Sequence, residues 1–94
     1  MPPELDAETR RDLKRQAHHL NVIVTAGAAG LTAAVMAEID QALIDHELVK
    51  LRLAADDRDG RRQMVDRICD ELGASCVQRI GHTATVYRPR PADT

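Results

Sequence analysis

The apolar residues of this chain alternate between two periods. Leu13, Ala17 and Leu20 stand at i, i+4 and i+7, the spacing of one helix face. Val22-Ile23-Val24 follows as a β-branched run that reads as a short buried strand. The helical period returns with Leu31, Val35, Ile39 and Leu43, with Ala42 beside them, and carries a second helix to about Asp45 or His46. From Leu48 to Ala54 the period falls to two. Val49, Leu51 and Leu53 lie on one side and Lys50 and Arg52 on the other, the pattern of a half-buried strand. Two residues' rise puts Lys50 and Arg52 roughly 7 Å apart on one sheet face. Met64, Val65, Ile68, Cys69 and Leu72 form a third helical stripe. Cys76 to Ile80 and Thr83 to Arg88 read as two further strands.

The residues between these segments set their ends. Asp6 suits the N-cap of the first helix, with Glu8 in its first turn. Thr32 suits the N-cap of the second, although Val35 stands where a capping box would carry Glu. Asp56, Asp57 and Asp59 read as turn and cap residues before the third helix, and Gly73 as its C′ residue. Gly81-His82 is a two-residue hairpin signal with glycine first, as a type II′ turn requires. Pro89 stops the last strand. Residues 1–4 therefore read as a disordered lead, 5–89 as one domain and 90–94 as a tail. The order α-β-α-β-α-β-β predicts a small two-layer α/β domain with a four-stranded mixed sheet.

With 94 residues, one tyrosine and no Phe or Trp, there is room for one aliphatic core. The lack of aromatics argues against extensive base stacking as a mode of binding. The net charge of −2 is atypical of a nucleic-acid binder, but the charges are unevenly placed. Residues 10–19 hold Arg10, Arg11, Lys14 and Arg15 against Asp12 alone, and residues 77–90 hold Arg79, Arg88 and Arg90 with no acid. The stretch 38–47 holds Glu38, Asp40, Asp45 and Glu47 with no Lys or Arg. Such a distribution gives basic and acidic faces on one domain. No apolar run approaches transmembrane length and the N-terminus is charged, so a cytoplasmic location is expected.

Between the first strand and the second helix stands Gly27-Ala28-Ala29-Gly30. Glycine at both ends permits positive φ and close backbone approach. Helix N-terminal N–H groups without intrahelical partners would face the loop, a place that suits a phosphate. The same four residues also suit a plain tight turn. Other chemistry is hard to find. His18 and His19 are adjacent and diverge on a helix, and His46 and His82 are far apart, so no zinc site is expected. The spacing of Cys69 and Cys76 is not that of a metal or redox motif, and both should stay reduced. The acids at 56–59 lack EF-hand spacing. With no catalytic motif, a non-enzyme without cofactor or metal is expected.

A wider pattern surrounds the loop. It includes Ala17-His18 with Leu20, then Ala37-Glu38-Ile39-Asp40-Gln41-Ala42-Leu43 running into His46-Glu47-Leu48-Val49-Lys50, and Asp57-Arg58. Gly73-Ala74, Val77-Gln78, Ile80-Gly81, Thr83 and Tyr87-Arg88-Pro89 follow in order. From Leu5 to Pro89 the chain resembles the CRM domain (chloroplast RNA splicing and ribosome maturation), in particular the free-standing bacterial YhbY type. The resemblance implies a fold similar to the C-terminal domain of translation initiation factor three. It also implies a GxxG loop placed like the loop with which KH domains clamp a nucleic-acid backbone. The implied partner is RNA, specifically ribosomal RNA precursor during large-subunit assembly, with a monomeric protein and no membrane. The resemblance supplies the RNA class and the reading of the residues supplies the surface: the expected contacts are Arg10, Arg11, Lys14, Arg15 and His18 of the first helix, Gly27, Ala28, Ala29 and Gly30 of the loop, and Lys50, Arg52, His82 and Arg88. Two positions depart from the family pattern. Ala28 and Ala29 replace a lysine or other polar residue between the glycines, and His82 replaces lysine at the hairpin tip. Both changes reduce positive charge, so backbone N–H groups and arginines carry more of any phosphate contact. They also favour an alternative, an adaptor domain that keeps the fold and has lost RNA binding. A third reading is a small phosphometabolite or nucleotide binder at the loop.

Overall fold

Local capping chemistry sets the helix boundaries. The computed structural model describes residues 4–91, so most of the expected lead and tail lies outside the described residues. Helix α1 spans Ala7–Ala17, and Asp6 accepts a hydrogen bond from the Thr9 N–H at 2.7 Å. That bond also lowers the Asp6 carboxyl from its ordinary pKa. Helix α2 spans Ala33–His46, with the Thr32 hydroxyl accepting from the Val35 N–H at 3.1 Å. Helix α3 spans Arg58–Leu72, capped by Asp57, which accepts from the Gly60 N–H, and closed by Gly73 at φ 65°.

The strands are β1 (Val22–Ala26), β2 (Leu48–Leu53), β3 (Ser75–Ile80) and β4 (Thr83–Tyr87), in the sheet order β1-β2-β4-β3. β1 and β2 are parallel, whereas β4 is antiparallel to both β2 and β3. The sheet is therefore mixed, and the element order is the one read from the sequence. In the β3–β4 hairpin Gly81 alone has positive φ, 56°, which fits the expected turn. One expectation needs correction. β1 is an edge strand, and Val22 and Ile23 are 38% and 49% exposed. Only Val24 and Ala26 of this strand enter the core.

The alternation in β2 divides the packing between two faces. Val49, Leu51 and Leu53 join Ile39 and Leu43 of α2, Val65 and Ile68 of α3, and Val86 of β4 in the main core. Leu48, on the other face, joins Leu13 of α1 and Val77 of β3, with Leu20 and Tyr87 against them. The main body is thus sheet against α2 and α3, and α1 adds a partial third layer that element order did not reveal. Along this second face exposure rises from buried Leu48 through half-buried Lys50 to exposed Arg52. The cover that α1 provides therefore ends before the C-terminal end of β2.

Cys69 is buried in the main core, and its thiol is pushed up to about 12, chiefly by burial and then by Cys76, Asp66 and Asp70. Burial also raises the Cys76 thiol. Unfolding exposes Cys69 to water, where it ionises near its ordinary value of 9.0. Between that value and about 12 the native state holds the extra proton, so stability falls as pH rises through this window. Cys69→Ser buries a hydroxyl in its place and should cost about 1–3 kcal/mol by thermal or urea unfolding.

Candidate nucleic-acid interface

The chain leaves β1 at Ala26 and turns at once. The Gly30 N–H donates to the Gly27 carbonyl at 2.9 Å, closing a four-residue turn, and the Thr32 N–H donates to the Gly30 carbonyl at 3.1 Å. Gly30 has φ 76°, which explains its identity. Gly27 has no positive φ, and a Cβ on either glycine would meet nothing within 4 Å. The expectation that both glycines serve positive φ and close approach therefore holds only for the φ of Gly30. α2 begins beyond Thr32, so Gly30 and Thr32 direct their N–H groups into the turn. The N–H groups of Ala28, Ala29, Leu31, Ala33 and Ala34 have no acceptor among the described residues. Ala28 and Ala29 are exposed at the tip.

Strand register brings two other loops to the same end of the sheet. Ala26 pairs with Leu53, and the next row runs Thr25, Arg52, Thr83, Ile80 across all four strands. The Leu53 N–H donates to the His82 carbonyl at 2.7 Å and the Ala54 N–H to the Ala26 carbonyl at 3.0 Å. Nη1 of Arg61 donates to the carbonyls of Ala55 and Asp56 at 3.0 and 2.9 Å, and lies 3.5 Å from Nε2 of His82. The Gly27–Gly30 turn, the β2–α3 connection and the β3–β4 hairpin are thus tied together. Directly paired residues share a sheet face, so Arg52 and Ile80 stand on the face that α1 leaves open. Both are exposed, Ile80 by 58%.

The remaining candidate residues divide into groups. His18 lies with Lys50 in a small cleft behind Arg52. Arg10 and Lys14 face β3, and Nη1 of Arg10 donates to the Cys76 carbonyl at 2.7 Å. Arg11 and Arg15 lie on the outer face of α1 beside Glu8 and Asp12, with Arg15 3.5 Å from Asp12. Arg88 is at the other end of the sheet. Its Nη1 donates to Oδ1 of Asp40 at 2.8 Å and to the Leu72 carbonyl at 2.9 Å, and its Nη2 to the Asp40 carbonyl at 3.2 Å. These bonds tie β4 to α2 and α3. Sequence reasoning had not picked out Thr25, Thr83, Ile80, Arg58, Arg61 or Arg79 as site residues. The Arg58-x-x-Arg61-Arg62 spacing was the available signal, obscured by Asp59 within it and Asp56 and Asp57 just before it.

Among the described residues no three metal-ligating side chains cluster, and no helix is long and apolar enough to cross a membrane.

Residues 5–88 match the family model of the CRS1/YhbY (CRM) domain. The chain is 41% identical over 87 residues to a Pseudomonas aeruginosa protein named a probable RNA-binding protein, covering 93% of this chain and 84% of that one. It is 44% identical over 85 residues to a Haemophilus influenzae protein named an RNA-binding protein, covering 90% and 86%. Among solved structures it resembles the solution structure of a Staphylococcus aureus protein proposed to bind RNA. The TM-score is 0.83 at 23% identity, over 97% of this chain and 95% of that one, a likeness of fold.

Proposed function

We propose that this chain, which belongs to the CRS1/YhbY (CRM) domain family, binds RNA through the sheet end that carries the Gly27–Gly30 turn. The observation that supports this most is the juxtaposition at that end. Outward N–H groups at the turn and the start of α2 stand beside the open row Thr25, Arg52, Thr83, Ile80. N–H groups and a guanidinium suit phosphate oxygens. Hydroxyls and one aliphatic side chain suit sugar and base surface, and no aromatic platform is needed. The names of the relatives support RNA as the class of ligand. Within that reading the target is ribosomal RNA precursor during large-subunit assembly. The protein acts in the cytoplasm as a monomeric non-enzyme that positions RNA.

Sedimentation of tagged protein with ribosomal particles at low and high salt tests the target. Salt-sensitive comigration with large-subunit precursors is expected, and its absence removes the ribosomal assignment. Lys50→Ala with Arg52→Ala should weaken binding to all RNAs alike. The log–log salt slope should flatten by roughly 0.7 for each lost single-strand contact or 0.9 for each duplex contact. An unchanged slope removes this face from the interface. The adaptor reading keeps one observation in its favour, the alanine tip on a chain of net charge −2. Purified protein whose 260/280 absorbance ratio shows no nucleic acid, and which fails to bind added RNA, would select it.

A further inference from the structure

β3 is the second edge of the sheet, and α1 and the start of α3 flank it on opposite sides. Between them lies a groove of about 590 Å³ along residues 76–79. Arg10, Lys14, Arg58, Arg61 and Arg79 line it, and no acidic residue does. These cations come from three separate elements, yet the fold converges them on one channel. The net charge of the whole chain is −2, so the concentration of like charge here is local. Arg10 and Arg61 are anchored through Nη1 to backbone carbonyls, which holds their charge at the wall. Arg58 and Arg79 are exposed and form no ion pair among the described residues.

We infer that this groove is a second anion site that takes the sugar-phosphate backbone of a single RNA strand continuing from the Gly27–Gly30 end. The inference rests on the RNA-binding reading above and extends it to residues outside that surface. The path between them is short. Arg61 lies both on the groove and 3.5 Å from His82, and the hairpin that carries His82 borders the open row at Ile80 and Thr83. Four strands span about 14 Å at the usual spacing, so one strand of RNA can reach from the loop above β1 to the edge at β3. An acidic peptide pairing with the β3 edge is the competing occupant. It fits less well, because Arg10 already occupies the Cys76 carbonyl and the bulge between Cys76 and Gln78 breaks the regular ladder. Arginine forks suit phosphates directly, and contacts to phosphate carry no sequence information, so the groove should bind without sequence preference.

Arg58→Gln with Arg79→Gln tests this, since both side chains are exposed and the fold should survive. Binding is measured with single-stranded RNAs of about four and about twelve nucleotides, the shorter matching the backbone length that a GxxG loop clamps. The variant should bind the long RNA roughly tenfold or more weakly than the parent at about 0.1 M salt. Its salt slope should be flatter by about 1.4, with each single-strand phosphate contact contributing about 0.7. Binding of the short RNA should be unchanged. A variant that binds the long RNA with the parent's affinity and slope overturns the groove and leaves the loop reading intact. Parent protein that binds neither RNA overturns the RNA-binding reading and the groove with it. A poly-glutamate peptide that binds the parent more tightly than the long RNA, and is lost in the variant, overturns RNA as the occupant.

Discussion

Replacing Ala28 and Ala29 together by Asp should remove most RNA affinity while the melting temperature barely moves. Both positions are exposed at the tip of the turn, and neither has positive φ, so Asp is accommodated. The bonds that shape the turn, Gly30 to Gly27 and Thr32 to Gly30, run between backbone atoms and survive. Asp near a helix start is favourable to the helix itself. The new carboxylates would occupy the space in front of the outward N–H groups and repel an approaching phosphate. Charge–dipole terms of this kind are about 1 kcal/mol each, so two should weaken binding by roughly an order of magnitude or more. Ala28→Asn with Ala29→Asn adds similar volume without charge and should retain affinity. If the folded Asp variant binds RNA as the parent does, the loop is only a turn and the adaptor reading gains.

Features encoded over three or four residues were legible in the sequence. Asp6 and Thr32 are caps because a side-chain oxygen meets an N–H three residues on, and that geometry needs no tertiary information. Gly73 and Gly81 were legible for the same reason, since a left-handed backbone selects glycine locally. The alternation of β2 told which side chains share a face, but not which face would be covered. β1 was misread because three β-branched residues look alike on a central and an edge strand. Only the order β1-β2-β4-β3, a product of long-range pairing, leaves Val22 and Ile23 exposed. The candidate site shows the same division. Its loop could be found as a motif, but the row Thr25, Arg52, Thr83, Ile80 exists only once the register of four strands is known. The basic groove is a further step away, because its residues lie on α1, α3 and β3 and meet only in the folded chain.

Arg88→Ala should lower the melting temperature by about 8–16 °C and leave the RNA affinity of the folded protein unchanged. In the sequence Arg88 belongs to a run without acids and resembles a phosphate contact. Its partner Asp40 lies 48 residues earlier, and the two meet only when β4 runs alongside α2 and α3. The ion pair itself is worth little, since the Asp40 side chain is 44% exposed. More weight falls on the backbone. The Leu72 carbonyl is among the last of α3, which have no intrahelical donor, and Arg88 fills that position. Hydrogen bonds to a charged group contribute about 1.5–3 kcal/mol. A loss of about 2 kcal/mol in a domain of this size gives the stated shift at about 4–8 °C for each kcal/mol. Arg88→Lys should recover part of the loss, because one ammonium can reach a carbonyl but cannot span both partners as the fork does. Calorimetry with RNA titration of the same samples decides the matter. An unchanged melting temperature with weakened RNA binding would return Arg88 to the interface.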